Sequence, residues 1–253
     1  MKLKSKSYYI IVAVLSLIGI ITVIVFISPS KITKIENMDT VYPNVTGNFY
    51  KEITVVKFPK SLNVLVNKNY RLPDNYEPDD LVLLDVPLYR NNTENEGNYM
   101  REEAAEALKS LFSEAEACGY TLIARSGYRS YATQVQLYNR YVSEDGVEAA
   151  DTYSARPGHS EHQTGLTIDI TSPVVNNDLT ESFGDTSTGK WVRENAHRFG
   201  FIIRYPEDRV SDTGYQYEPW HLRYVGIEVA TQIYNQNWIL EDYLMANDLI
   251  SQL

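Results

Sequence analysis

The chain has 253 residues and a formal net charge of −10. This length suffices for one good-sized domain with additional segments, and the acidic balance argues against a nucleic-acid-binding protein, which needs a basic surface. The chain contains a single cysteine, Cys118, so it can build neither a disulfide framework nor a cysteine zinc site. Because no activating neighbour surrounds it in the sequence, we interpret Cys118 as a small apolar side chain.

The N-terminal part of the chain has the pattern of a membrane anchor followed by a linker. Lysines at three of the first seven positions precede residues 8–28, which contain no charged residue. A helix of that length spans a hydrocarbon core of about 30 Å, and the preceding lysines favour an N-terminus inside the cell. The pattern predicts a cytoplasmic segment at 1–7, an uncleaved single-pass transmembrane signal anchor at 8–28 and an extracellular remainder, with a cleaved signal peptide as the alternative. Polar residues 29–60 are interpreted as a stalk or linker.

The folded domain is predicted to occupy residues 61–253. Residues 100–118 have one apolar stripe at helical spacing, with acidic residues at the start and Gly119 at the end, which predicts a helix. Strands are predicted at Ile53–Phe58, Tyr120–Arg125, Leu166–Ile170 and Phe201–Tyr205, strands or extended segments at Leu62–Val66 and Leu81–Val86, and an extended segment at Tyr217–Tyr224. Helices are predicted at Tyr131–Val142, Gly189–Phe199 and most of Val225–Leu244, with a short helical turn at 147–153. A turn is predicted at 126–130, and polar loops at 172–188 and Glu207–Gly214. Helices separated by short strands, without regular βαβ alternation, predict an α+β domain with a small antiparallel sheet and helices packed to one side.

Two segments carry residues that could bind a divalent metal and activate water. His162 and Asp169 are separated by Gly165 and an apolar run, so a turn followed by a strand could bring the two side chains together. Imidazole and carboxylate suit zinc, and a catalytic zinc usually keeps three protein ligands and one water. His221 could be the third ligand. Glu218, three residues before it, could take a proton from the water.

The remaining candidates have ordinary alternatives. His197, beside Arg198, is interpreted as a surface or packing residue, and His159 as a residue at the edge of the site or without a role in it. Neither segment has the His-Glu-x-x-His pattern of metalloproteases, so spacing alone leaves a zinc site and unrelated residues as equal alternatives. Arg129 follows a predicted strand, where its guanidinium could bind a carboxylate or stabilise an oxyanion. A surface salt bridge is the alternative for this residue.

Three motifs occur in one order along the chain. They are Ser126-Gly127-Tyr128-Arg129-Ser130 followed by Gln134, then Ser160-x-His162-x-x-Gly165-x-x-x-Asp169, then Glu218-Pro219-Trp220-His221-x-Arg223-Tyr224-Val225-Gly226. Together they resemble the motifs of the VanY-type zinc D-alanyl-D-alanine carboxypeptidases. The wider group includes the VanX dipeptidases and L,D-carboxypeptidases, and the resemblance covers roughly residues 60–245. It implies the zinc D-Ala-D-Ala peptidase fold.

The resemblance also implies the roles of individual residues. His162, Asp169 and His221 match the ligands of a Zn²⁺ ion, although manganese or cobalt could occupy such ligands in vitro. Glu218 matches the catalytic base, and Arg129 matches the arginine that holds substrate and helps to polarise the scissile carbonyl. Gln134 and Ser160 match substrate-binding positions.

The function that the resemblance implies is removal of the C-terminal D-alanine from peptidoglycan stem pentapeptides, by Glu-assisted attack of water at zinc. Such trimming would remove the target of vancomycin-type antibiotics. An L,D-carboxypeptidase acting on stem tetrapeptides is the first alternative, and a non-catalytic cell-wall-binding module on the same fold is the second. The expected partners are stem peptides ending in D-alanine and the cell membrane, with no nucleic acid and no obligate protein partner.

Overall fold

The computed structural model describes residues 50–250 of the chain. The predicted anchor at 8–28 and most of the predicted linker lie outside the described residues. Within residues 50–250, no helix combines the length and apolar character needed to cross a membrane.

Short strands and α-helices follow one another along the described residues without regular βαβ alternation, in agreement with the α+β prediction. In chain order they are β1 Thr54–Val55, β2 Tyr70–Arg71, β3 Leu81–Leu83, β4 Tyr99–Arg101, α1 Glu102–Ala117, β5 Ile123–Ser126, α2 Tyr131–Asp145, α3 Val147–Tyr153, β6 Thr167–Thr171, α4 Ser187–Asn195, β7 Phe201–Tyr205, α5 Val210–Thr213, β8 Glu218–Tyr224, α6 Ile227–Gln236 and α7 Leu240–Ala246. Short 3-10 turns at Glu161–Thr164, Ala196–Phe199 and Glu207–Arg209 join some of them. The predicted polar loop at Glu207–Gly214 is therefore largely helical.

The main sheet has four strands in the order β5-β6-β8-β7, and every neighbouring pair is antiparallel. This confirms the predicted small antiparallel sheet. The register pairs Ile168 with Leu222 and Asp169 with His221. Because successive residues of a strand point to opposite faces, one face of β6 and β8 is apolar while the other carries the predicted metal ligands.

Helices cover both faces of this sheet, which corrects the prediction that all helices pack to one side. Ile168, Leu222 and Phe201 belong to the larger core cluster, which also contains buried residues of α1 and α4. Ile202 belongs to a second cluster with residues of α6 and α7. Because Phe201 and Ile202 are adjacent on β7, their side chains lie on opposite faces, so α6 and α7 cover the face opposite α1.

Two predictions for the N-terminal part of the domain need correction. Leu62–Val66 is buried from Val64 onward but forms no strand, because the carbonyl groups of Leu62 and Val64 accept hydrogen bonds from the Arg223 guanidinium. Within the predicted linker, β1 pairs with β2, and Val56 is buried in the larger core cluster. The packed domain therefore begins before residue 61.

Candidate active site

A short turn presents His162 just ahead of the sheet. The 3-10 turn Glu161–Thr164 ends at Gly165, which adopts a left-handed conformation with φ of +68°. A Cβ atom at Gly165 would lie 2.9 Å from the side chains of both Arg101 and Leu81, so conformation and space both favour glycine. The prediction that Gly165 turns the chain between the two ligand positions is confirmed.

The sheet register brings the three predicted ligands together. Asp169 of β6 and His221 of β8 are direct cross-strand neighbours, whose Cβ atoms lie about 5 Å apart in such pairs. Asp169 Oδ2 lies 3.4 Å from His162 Nε2, and Asp169 Oδ1 lies 3.3 Å from His221 Nδ1. One ligand atom from each residue lies within 4.8 Å of the other two, and all three residues are buried.

These three residues fit a zinc ion in donor type, spacing and orientation. Tetrahedral ligand atoms about 2.0–2.1 Å from zinc are about 3.3 Å from one another. The two histidine nitrogens lie at 3.4 Å and 3.3 Å from the Asp169 carboxylate, each from a different oxygen. The Nδ1 atom of His162 lies 2.7 Å from the Gly127 carbonyl. A hydrogen bond donated by Nδ1–H to that carbonyl fixes the proton on Nδ1, so the lone pair of Nε2 is directed towards Asp169. Asp169 Oδ1 is buried without a hydrogen-bond partner among the described residues, which leaves it available to a cation.

The electrostatic environment of the site favours a bound cation. Burial, together with the positive charge of Arg129, lowers the pKa of His162 to about 3, so this ring is a neutral ligand at neutral pH. Burial opposes a charge on His221 as well, but the nearby carboxylates of Asp169, Glu161 and Glu218 raise its pKa well above the usual value. Buried carboxylates thus surround His221, and a divalent cation would replace its proton.

Glu218 begins β8 and lies at the mouth of this cluster. Its Oε2 atom is 3.3 Å from His221 Nδ1, the same nitrogen that faces Asp169. Burial raises the pKa of the Glu218 carboxyl above its ordinary value. A carboxylate with a raised pKa beside a metal site suits a group that accepts and returns a proton.

Arg129 lies next to the cluster, and Gln134 holds its side chain. The guanidinium donates from Nη1 to Gln134 Oε1 at 2.9 Å and from Nη2 to Ser126 Oγ at 3.4 Å. The Gln134 amide in turn donates to the Ala155 carbonyl at 2.6 Å, and the side chain is fully buried. Gln134, a predicted substrate contact, thus uses both ends of its amide within the protein. This arrangement favours a role in orienting Arg129.

Ser160 and the two other histidines have different surroundings. Ser160 is buried at the start of the 3-10 turn that carries His162. The His159 Nδ1 atom lies 2.7 Å from the Asn67 carbonyl, and this residue is not part of the metal-binding group. His197 stacks on Tyr234 with ring centroids 3.8 Å apart, as expected for a packing residue.

Burial of His159 predicts a loss of stability in mild acid. Burial lowers the pKa of this ring from 6.5 to about 4, so the unfolded chain binds a proton first as the pH falls below 6.5. The contribution of the neutral, buried His159 ring to the free energy of unfolding is then lost progressively towards pH 4. Between pH 7 and 4.5, we expect the free energy of unfolding of the metal-free wild type to fall by about 2 kcal/mol more than that of His159→Gln.

Urea denaturation at each pH measures this difference. His197→Gln is the matched control, because His197 is more exposed and its pKa is less perturbed. Equal pH dependence of the wild type and His159→Gln would contradict the prediction.

From the sequence, no role was assigned to three buried neighbours of the site: Glu161, Arg204 and Arg223. All three side chains are fully buried, and Glu161 Oε2 lies 3.5 Å from His221 Nε2. Tyr205, whose ring centroid is 4.8 Å from that of His221, was also missed. The available signal was an arginine inside each of two strands rich in apolar and aromatic residues, since a buried charge needs a buried partner.

Comparison with known proteins agrees with the geometry of the site. The family model described as VanY, D-alanyl-D-alanine carboxypeptidase, matches residues 97–227. The protein YodJ of Bacillus subtilis (strain 168), which carries a carboxypeptidase name, is 47% identical over 191 residues, covering 76% of this chain and 70% of its own length.

Two solved structures extend the similarity to the fold. The LdcB LD-carboxypeptidase has 46% identity and a TM-score of 0.74, covering 80% of this chain and 92% of the other. A mutant of the vancomycin resistance D,D-pentapeptidase VanY from a VanB-type cassette, in complex with Zn(II), has 36% identity and a TM-score of 0.60, covering 73% of this chain and 99% of the other. In this chain, the described residues combine small sheets and helices around a buried His-Asp-His group. The chain therefore belongs to the VanY family of D-alanyl-D-alanine carboxypeptidases.

Proposed function

We propose that this chain is a zinc-dependent D-alanyl-D-alanine carboxypeptidase that removes the C-terminal D-alanine from peptidoglycan stem pentapeptides. The observation that carries the proposal is the buried group of His162, Asp169 and His221 with the Glu218 carboxylate 3.3 Å from His221. The similar VanY structure in complex with Zn(II) supports zinc as the metal, and the family supports D-alanine as the residue released.

In this proposal, the two histidines and Asp169 hold the metal. A zinc ion bound there would lower the pKa of water and polarise the scissile carbonyl. Glu218 accepts the proton of the attacking water and later returns it to the leaving amine. The raised pKa of Glu218 suits both steps, because a more basic carboxylate accepts a proton from water more readily.

Arg129 supplies a fixed positive charge beside the reacting carbonyl. Its hydrogen bonds to Gln134 and Ser126 restrict its orientation before substrate binds, so less conformational entropy is lost in the complex. The guanidinium can then donate to the developing oxyanion or to the substrate. Ser160 remains a proposed substrate contact, and Gln134 is proposed to act through Arg129.

An L,D-carboxypeptidase acting on stem tetrapeptides is the second candidate. The specific observation that favours it is the similarity to the LdcB LD-carboxypeptidase, which exceeds the similarity to the VanY D,D-pentapeptidase in both identity and TM-score. Both candidates use the same metal group, base and arginine. They differ in the configuration of the residue that precedes the terminal D-alanine.

A peptidase assay with two substrates tests the proposal. Purified protein lacking the first 28 residues should release D-alanine from a stem pentapeptide, lose this activity with a metal chelator, and regain it on addition of zinc. Faster release from the matched tetrapeptide would favour the L,D-carboxypeptidase. Release that survives complete metal removal would contradict the proposed function, and zinc binding without release from either peptide would favour a wall-binding module.

We also propose that residues 8–28 anchor the chain in the cell membrane with the domain outside. Their uncharged apolar sequence and the preceding lysines support this location. An extracellular domain would have direct access to peptidoglycan.

A further inference from the structure

Glu161 is a buried carboxylate held by two buried arginines. Its Oε1 atom accepts hydrogen bonds from Arg204 Nε at 2.8 Å and from Arg223 Nη1 at 2.7 Å. None of these three side chains has any exposed surface. Both donors reach the same oxygen, so they fix the carboxylate plane and leave the other oxygen for a different partner.

That other oxygen faces the candidate metal site. Glu161 Oε2 lies 3.5 Å from His221 Nε2, with the Thr167 hydroxyl at the same distance on another side. The Nε2 atom is buried and makes no hydrogen bond with any residue in the range 50–250, so the Glu161 carboxylate is the acceptor that it faces. On the opposite edge of the His221 ring, Nδ1 lies 3.3 Å from both Asp169 Oδ1 and Glu218 Oε2. The two ring nitrogens therefore face different carboxylates.

Both arginines have other hydrogen-bond partners besides Glu161. Arg204 donates to both oxygens of Glu241. Arg223 donates to the carbonyl groups of Leu62, Val64 and Tyr224. Glu161 is thus the point where this network contacts a candidate metal ligand.

We propose that Glu161 is a positioning residue for His221. Its carboxylate, oriented by Arg204 and Arg223, accepts a hydrogen bond from the Nε2–H group of His221, which keeps the proton on Nε2 and would direct the Nδ1 lone pair at a bound metal. A carboxylate paired with the non-ligating nitrogen of a histidine fixes both the tautomer and the orientation of the ring. The inference rests on the proposed function, because it requires a metal at His162, Asp169 and His221.

Glu161→Gln tests this role with little change in shape. Arg204 and Arg223 have only N–H donors, so they will hold the amide oxygen where Oε1 now lies. The amide NH₂ group then faces His221 Nε2 and opposes a proton there, which favours the tautomer protonated on the metal-facing nitrogen. We expect zinc affinity, measured by competition with a chelator, to fall by about 10–100-fold.

Glu241→Gln is the matched control variant. It alters the same buried network by removing the charge that Arg204 contacts on its other side, but it leaves the carboxylate at His221 intact. We expect its zinc affinity to stay within about threefold of the wild type. The Nε2–H proton signal of His221, observed by NMR in zinc-loaded protein, should move upfield in Glu161→Gln and stay in place in Glu241→Gln.

The possible results separate this inference from the proposed function. If the wild type binds zinc and Glu161→Gln binds it as tightly as Glu241→Gln, the positioning role is overturned while the proposed function stands. If the wild type binds no zinc, both fail. Should Glu161→Gln not fold, Glu161→Asp keeps the charge near the arginines and withdraws the carboxylate from His221, and the same selective loss of zinc affinity is expected.

Discussion

Replacing Glu218 with glutamine should slow D-alanine release by about 10²–10⁴-fold, because that is the usual contribution of a general acid-base group. Glutamine preserves the shape of the side chain but neither accepts a proton from water nor returns one to an amine. The three candidate ligands remain, so zinc affinity should change little. Activity against the pentapeptide and zinc binding by chelator competition measure the two effects separately.

Glu207→Gln is the control for this substitution. Glu207 is an exposed glutamate in the turn that follows β7, so loss of its charge should leave D-alanine release close to that of the wild type. If Glu218→Gln kept wild-type activity, another group would have to transfer the proton. If it lost zinc and activity together, Glu218 would have a role in binding the metal.

Arg204→Met should destabilise the fold by about 3–5 kcal/mol, the usual cost of removing one partner from a buried ion pair. The substitution leaves the carboxylates of Glu161 and Glu241 without the guanidinium that now bridges them at 2.7–2.9 Å. For a domain of this size, the melting temperature should fall by about 6–20 °C. Thermal denaturation of metal-free protein measures the loss without a contribution from zinc.

Arg198→Met provides a matched comparison on the protein surface. Arg198 also contacts a glutamate, Glu114, but at 3.4 Å and with both side chains nearly half exposed. Exposed ion pairs contribute about 0–1 kcal/mol, so this variant should melt close to the wild type. Equal melting temperatures for the two variants would show that the buried network contributes little to stability.

Local sequence patterns predicted much of the fold. The apolar stripe at residues 100–118 corresponds to α1 at Glu102–Ala117, and the strand prediction at Phe201–Tyr205 matches β7. Both elements have a clear hydrophobic pattern and a glycine near one boundary: Gly119 follows α1, and Gly200 precedes β7. At Leu62–Val66, where these local signals are weaker, the prediction is a strand or an extended segment, and the chain forms no strand there.

The sequence by itself also determined which residues carry the candidate chemistry. His162, Asp169, His221 and Glu218 were all identified from motifs, because their residue types and order restrict the chemistry before any geometry is known. The turn at Gly165 followed from the same local information, since a short separation between two ligands demands a change of chain direction.

Only the tertiary structure decided how these residues are held. Glu161 contacts arginines that lie 43 and 62 positions away in the chain, and no local pattern encodes such a pairing. The carbonyl groups of Leu62 and Val64 accept hydrogen bonds from Arg223, which satisfies buried acceptors that a strand partner would otherwise satisfy. Partner choice for buried charges and carbonyl groups depends on which distant segments pack together, so it becomes visible only when the chain is folded.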